Sequence, residues 1–281
     1  MLSERSKQVR RDLIKLSKAN GGYHYGGSLS CVEILIALFD DEVMKYPDEF
    51  ILSKGHACWG YYVLLMERAL YPKLEGHPSR DVNNGVPCTT GSMGHGLPTA
   101  VGMAMAKKIK GEEGKVYVLM GDGECQEGTT WESLLIAAQH KLDNLVVIVD
   151  WNKIQGSGRL HNILDLSALA EVVKQIGWDV QEVDGHDIKE LTRAIKFNVE
   201  SSSFIIADTV KGKGVSFMED KPEWHAKWLD DEHEKLAMEE LAEKSFEEQA
   251  IDIKDILHDI CTNTTTIRDL VHIKAVGEVR I

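Results

Sequence analysis

The sequence predicts an α/β fold, a doubly wound and mostly parallel sheet flanked by helices, and three observations carry that prediction. Near-continuous runs of Val, Leu and Ile at 116–120 (VYVLM) and 145–149 (LVVIV) fit strands buried on both faces. Shorter apolar runs at 50–53 (FILS), 180–183 (VQEV) and 204–210 (FIIADTV) fit further strands. Segments with helical spacing lie between them, and strands alternating with helices of that length build βαβ units.

Helical periodicity marks 4–19, 30–39, 57–70, 97–109, 130–141, 166–175 and 187–199. The first of these is basic and amphipathic. A helix with Val9, Leu13, Ile14 and Leu16 towards a core explains it better than an organellar transit peptide, because it contains Glu4 and Asp12 and has no Ser-rich stretch. The stretches 70–95 and 211–228 lack clean periodicity and read as long loops, which in a compact domain are usually functional or disordered. From Leu229 onward the chain turns acidic and helical. The expected organisation is one domain over 1–230 and a helical, acidic C-terminal extension over 231–281.

Composition narrows the function. The 281 residues, 43% of them hydrophobic, are enough for a real core. A net charge of −13 argues against nucleic acid and anionic membranes as partners. Five dispersed cysteines (Cys31, Cys58, Cys88, Cys125, Cys261) form no CxxC pair and read as reduced thiols, so a cytoplasmic protein is expected. No apolar run approaches the roughly 18 residues that a membrane span requires.

Two of the buried runs stop on polar turns, Gly121-Asp122-Gly123 and Asp150-Trp151-Asn152. In open α/β sheets ligands gather beyond the carboxyl ends of the strands, so both turns should face one site. A glycine turn between strand and helix suits an anion, but Gly121, Gly123 and Gly128 miss the G-x-G-x-x-G spacing, and no P-loop is present. Asp122 would repel a phosphate unless a cation lay between them. Asn152 adds an amide oxygen one strand–helix–strand repeat later, and such an oxygen-only shell suits Mg²⁺ or Ca²⁺. A helix N-cap accounts for an aspartate at this turn equally well.

GDG followed about 30 positions later by Asn resembles the thiamin-diphosphate motif of thiamin-dependent enzymes. HYGGSLS at 24–30, SKGHA at 53–57, GHP at 76–78, TTGSMGHGLPTAVGMAMA at 89–106 and GDGECQEGTTWES at 121–133 narrow the resemblance to transketolases. VDWNKI at 149–154, GWDVQEVDGHD at 177–187 and DTVKGKGVSFME at 208–219 continue the series in the family's order, over most of 5–230. The resemblance implies that Asp122, Asn152 and the main-chain carbonyl of Ile154 hold Mg²⁺ against the cofactor diphosphate. It places Gly91, Met93, Gly94, Gly123, Asn152, His56 and His225 along the cofactor, and counts Glu127 among the cofactor-binding residues, near a subunit interface. Catalytic roles fall to His24, His56, His77 and His225, for proton transfer at a sugar hydroxyl. Glu124 reads as a solvated first-turn acid, and His186 as part of a structural turn. Tyr23, His95 and Trp151 depart from the usual pattern and bear on substrate preference.

A full transketolase has three domains, and the matching segments cover only the first. The resemblance therefore implies the amino-terminal subunit of a split transketolase, inactive by itself. Its partner would be a C-terminal transketolase subunit carrying the pyrimidine-binding and carboxyl-terminal domains, in an α₂β₂ assembly. The reaction would transfer a two-carbon ketol unit between sugar phosphates, or modified sugars, through thiamin diphosphate. The alternatives are half of another thiamin enzyme, such as a deoxyxylulose-phosphate synthase, and a non-catalytic regulatory paralogue.

Overall fold

The computed structural model describes residues 2–40, 43–197 and 201–242. Its sheet has five parallel strands in the order β1-β2-β3-β7-β6: β1 Glu49–Leu52, β2 Val116–Gly121, β3 Leu145–Trp151, β6 Asp179–Asp184 and β7 Ser203–Asp208. A short hairpin, β4 Ile154–Gln155 with β5 Gly158–Arg159, follows β3. All five runs read as strands in the sequence form the sheet, and the doubly wound fold is observed.

The helices are α1 Glu4–Ala19, α2 Tyr25–Ser30, α3 Val32–Phe39, α4 Cys58–Met66, α5 Gly96–Lys110, α6 Gly128–Gln139, α7 Leu160–Ile163, α8 Leu169–Gln175, α9 Ile188–Lys196 and α10 Asp231–Glu240. The Ser3 side chain caps α1 by accepting from the Ser6 N–H at 3.0 Å. Val9, Leu13 and Ile14 of α1 are buried, with Leu16 packed beside them. The helix expected over 30–39 starts earlier, as two pieces meeting at Cys31. The pair Gly26-Gly27 hides that start from hydropathy, because glycines carry no periodic signal.

The central strands alternate between two apolar cores. Val116, Val118 and Met120 of β2 face one side with Leu145, Val147 and Val149 of β3. Tyr117, Leu119, Val146 and Ile148 face the other. Both faces are apolar, so the period of two vanishes from the hydropathy pattern and leaves a continuous run. The helices follow the strand order: the step β2 to β3 carries α6 on the first face, and the reversed step β6 to β7 carries α9 on the second, as the right-handed crossover rule expects.

The compact unit closes at Leu241. Ala237 and Leu241 join the core, and α10 is tied to α1 by ion pairs from Lys18 to Asp231 and Glu234. The rest of the expected C-terminal extension, with His258, Cys261 and His272, lies outside the described residues. The four described cysteines are free. Among the described residues, no helix is long and apolar enough to cross a membrane.

Candidate active site

A cavity of about 480 Å³ opens beyond the carboxyl ends of β2 and β3. The strand ends stand side by side in register, with Gly121 opposite Asp150. Asp122 follows the first and Asn152 the second, so the two turns share one site, as the sequence pattern requires.

Four histidines meet there, brought from four segments. The ring of His24 lies 5.4 Å from His56, 5.8 Å from His77 and 5.7 Å from His225, and His56 is 5.1 Å from His225. His24 sits at the start of α2, whose paired glycines let other segments approach. A Cβ on Gly27 would lie 2.9 Å from His56 Nε2, a distance no side chain tolerates. Burial, helped by His77 and Lys211, lowers His24 to a pKa of about 4. Burial, then Lys211, lowers His225 to about 3. His56 and His77 are lowered as well, chiefly by burial. Near neutral pH this cluster is uncharged, with each ring offering one N–H donor and one acceptor.

Gly91, Met93, Gly123, Asn152 and Ile154 also line the cavity, whereas Gly94 and Glu127 do not. Gly94, at φ +75°, packs against Glu127, and a Cβ there would meet the Glu127 Cβ at 2.7 Å. The Gly94 N–H donates to Glu124 Oε1 at 2.9 Å. Glu124 thus differs from the solvated acid expected. It is buried and accepts from Ser53 Oγ, Gly94 N–H and Gly121 N–H, bracing the glycine loop against the β2 turn. Tyr23 lines the cavity, its ring tilted against His24 at 4.3 Å and against Trp228 at 5.0 Å. His95 turns its ring back to the Met93 carbonyl at 3.0 Å, and Trp151 packs beside a core; neither lines the cavity.

Two buried lysines in the wall escaped sequence reasoning. Lys54 follows β1 and pairs with Asp150, also donating to the Gly27 carbonyl at 3.0 Å. Lys211 donates to the Ile154 carbonyl at 2.9 Å and stands 3.0 Å from His225 Nδ1. Burial, then Lys54, lowers Lys211 to a pKa of about 8. Both lysines sit beside glycines inside quoted motifs, SKGHA and VKGKG, but lysine is almost never fully buried, so the default reading puts it in solvent. Asp150 neutralises Lys54, so of the two it is Lys211 that brings positive charge to the wall.

The donor set fits a metal–diphosphate group. Asp122 Oδ1 accepts from Gly123 N–H at 2.7 Å, and its other oxygen accepts from Lys153 N–H. Burial, then Asp150, raises Asp122 to about 6, so its ionised form is short of a compensating cation. Among the described residues no three His, Cys, Asp or Glu side chains form a metal cluster. One carboxylate, the Asn152 amide oxygen and the Ile154 carbonyl, which keeps a second lone pair beside Lys211, leave a hard cation incomplete without oxygens from a ligand. Magnesium held against a diphosphate completes such a shell.

The family model for the transketolase thiamine diphosphate binding domain matches residues 7–265. The chain is 39% identical to one component of the apulose-4-phosphate transketolase of Actinobacillus succinogenes, over 86% of this chain and 96% of that protein. It is 33% identical to the 6-deoxy-6-sulfo-D-fructose transketolase subunit SqwG of a Clostridium species, over 85% and 96%. The fold superposes on the crystal structure of transketolase from Campylobacter jejuni with a TM-score of 0.74 at 28% identity. That match covers 85% of this chain but 42% of the other, so the chain spans less than half of that enzyme's length.

Proposed function

The chain belongs to the transketolase family through its thiamine-diphosphate-binding domain, and from that premise we propose that it is the amino-terminal subunit of a two-chain transketolase. The observation that carries this reading is one cavity joining Asp122, Asn152, four neutral histidines and the ammonium of Lys211.

In this reading Asp122, Asn152 and the Ile154 carbonyl hold Mg²⁺, and Gly123 N–H, His56 and His225 face the diphosphate. Lys211 supplies positive charge beside the Ile154 carbonyl and His225, where low dielectric strengthens it. When bound, thiamin diphosphate supplies the carbon centre that carries the two-carbon ketol unit. His24 and His77, at the open side of the cavity, orient the sugar and move a proton at its hydroxyl. Their depressed pKa values keep an acceptor nitrogen available near neutral pH. Tyr23 and Trp228 border the entrance and shape what enters.

The two split relatives are named for a sugar phosphate and for a sulfonated sugar. The proposed substrate class is therefore a ketose donor and an aldose acceptor with an anionic end. The pyrimidine end of the cofactor would be met by a C-terminal subunit in an α₂β₂ complex, in the cytoplasm.

The test is gentle co-purification from the native cells, identification of the companion by mass spectrometry, and a ketol-transfer assay of each chain and of both. Activity is expected only from the pair, with thiamin diphosphate and Mg²⁺. Full activity from this chain alone would overturn the two-chain reading.

A further inference from the structure

Arg10 and Glu33, both buried, and the partly buried His186 form a chain of hydrogen bonds. Arg10, fully buried, donates through both terminal nitrogens to Glu33 at 2.6 and 2.8 Å. Its remaining donors reach the carbonyls of Ser6, Leu29 and Lys213, the last through Nε at 2.7 Å. Glu33 Oε2 also meets His186 Nδ1 at 2.9 Å. His186 Nε2 accepts from the Val210 N–H at 2.9 Å, which places the ring proton on Nδ1, facing Glu33. Burial works to raise Glu33, but Arg10 outweighs it and holds the carboxyl at about 2.

The ends of this chain fall on Val210 N–H and the Lys213 carbonyl, either side of Lys211. Gly212 N–H is held between them by the Gly26 carbonyl at 3.0 Å. We infer that His186 is a positioning residue: with Glu33 and Arg10 it clamps both flanks of the 210–213 loop and thereby aims the Lys211 ammonium into the cavity. This rests on the reading of that cavity as a diphosphate site. It gives the GHD segment a purpose beyond its turn, because Asp184 and Asp187 satisfy the local N–H groups there without His186's ring.

The test is a double-mutant cycle on the full chain, with His186→Ala, Lys211→Met and the double variant. Magnesium pyrophosphate is the probe, titrated by calorimetry. If His186 acts through Lys211, His186→Ala weakens binding roughly fivefold or more in the wild-type background and not at all beside Lys211→Met. Amide exchange at 209–213, measured without ligand, should quicken in His186→Ala, and His186→Gln, which keeps a donor and an acceptor, should recover part of the affinity. Additive losses, or unchanged affinity in His186→Ala while Lys211→Met weakens binding, would overturn the clamp and leave the cofactor reading standing. If Lys211→Met binds the probe as wild type does, or the wild type does not bind it, the cofactor reading itself falls.

Discussion

Asp122 and Asp150 end neighbouring strands, are both buried, and have opposite fates. Asp150 accepts from Ser30 Oγ at 2.6 Å, Asn152 Nδ2 at 3.0 Å, Thr209 and the Lys54 ammonium. Burial works to raise its carboxyl, but Lys54 and the hydroxyls outweigh burial and hold it low. Among the described residues Asp122 has only backbone N–H partners, and burial with Asp150 nearby raises it to about 6. One carboxylate is a finished structural ion pair beneath the cavity. The other lines the cavity with less compensation than its burial costs, a state that suits the cation proposed for it.

The largest test of that contrast is Asp150→Ala. It strands Lys54 as an unpaired buried charge and should cost about 3–5 kcal/mol in urea unfolding. A loss under about 1 kcal/mol would show that the pair is no strut. Glu124→Gln probes a third carboxylate in the same turn as Asp122. It replaces one acceptor of Ser53, Gly94 or Gly121 by a donor, and a loss of about 1–3 kcal/mol is expected from the same measurement. Asp122→Asn should behave oppositely to both, because relief of a buried charge offsets one lost backbone acceptor. Stability should then change by less than about 1 kcal/mol, while affinity for magnesium pyrophosphate falls at least about tenfold.

The smallest effect is a pH dependence. The folded pKa of Asp122, about 6, lies above its ordinary 3.8. Its contribution to stability is therefore present below 3.8 and lost as pH rises through 6, whereas a bound cation favours the ionised form. Magnesium pyrophosphate affinity, relative to Asp122→Asn, should fall as pH drops below about 6. The histidines, at about 4 for His24 and about 3 for His225, stay neutral across that limb. An acid limb that survives in Asp122→Asn would assign it to another group.

Four of the five strands were legible as local apolar runs, β6 with its Gln181 and Glu182 only as a short strand-like segment, and the turn residues Asp122 and Asn152 because they end such runs. The four histidines were legible only through whole motifs, since a single histidine carries no signal for its surroundings. Lys54, Lys211 and Glu124 were illegible because charged side chains read as solvated until packing encloses them. The link from Arg10 through Glu33 and His186 to the 210–213 loop joins four distant segments, with no local pattern to betray it.

By itself the sequence determined the doubly wound sheet, the turns that end β2 and β3, and the kinship with transketolases, since hydrophobic periodicity and motif order are local properties of a chain. Tertiary structure alone decided which of two neighbouring aspartates is neutralised, which lysines face the cavity and which histidines stay uncharged. Burial and the nearest opposite charge decide those states, and both exist only once distant segments have packed together.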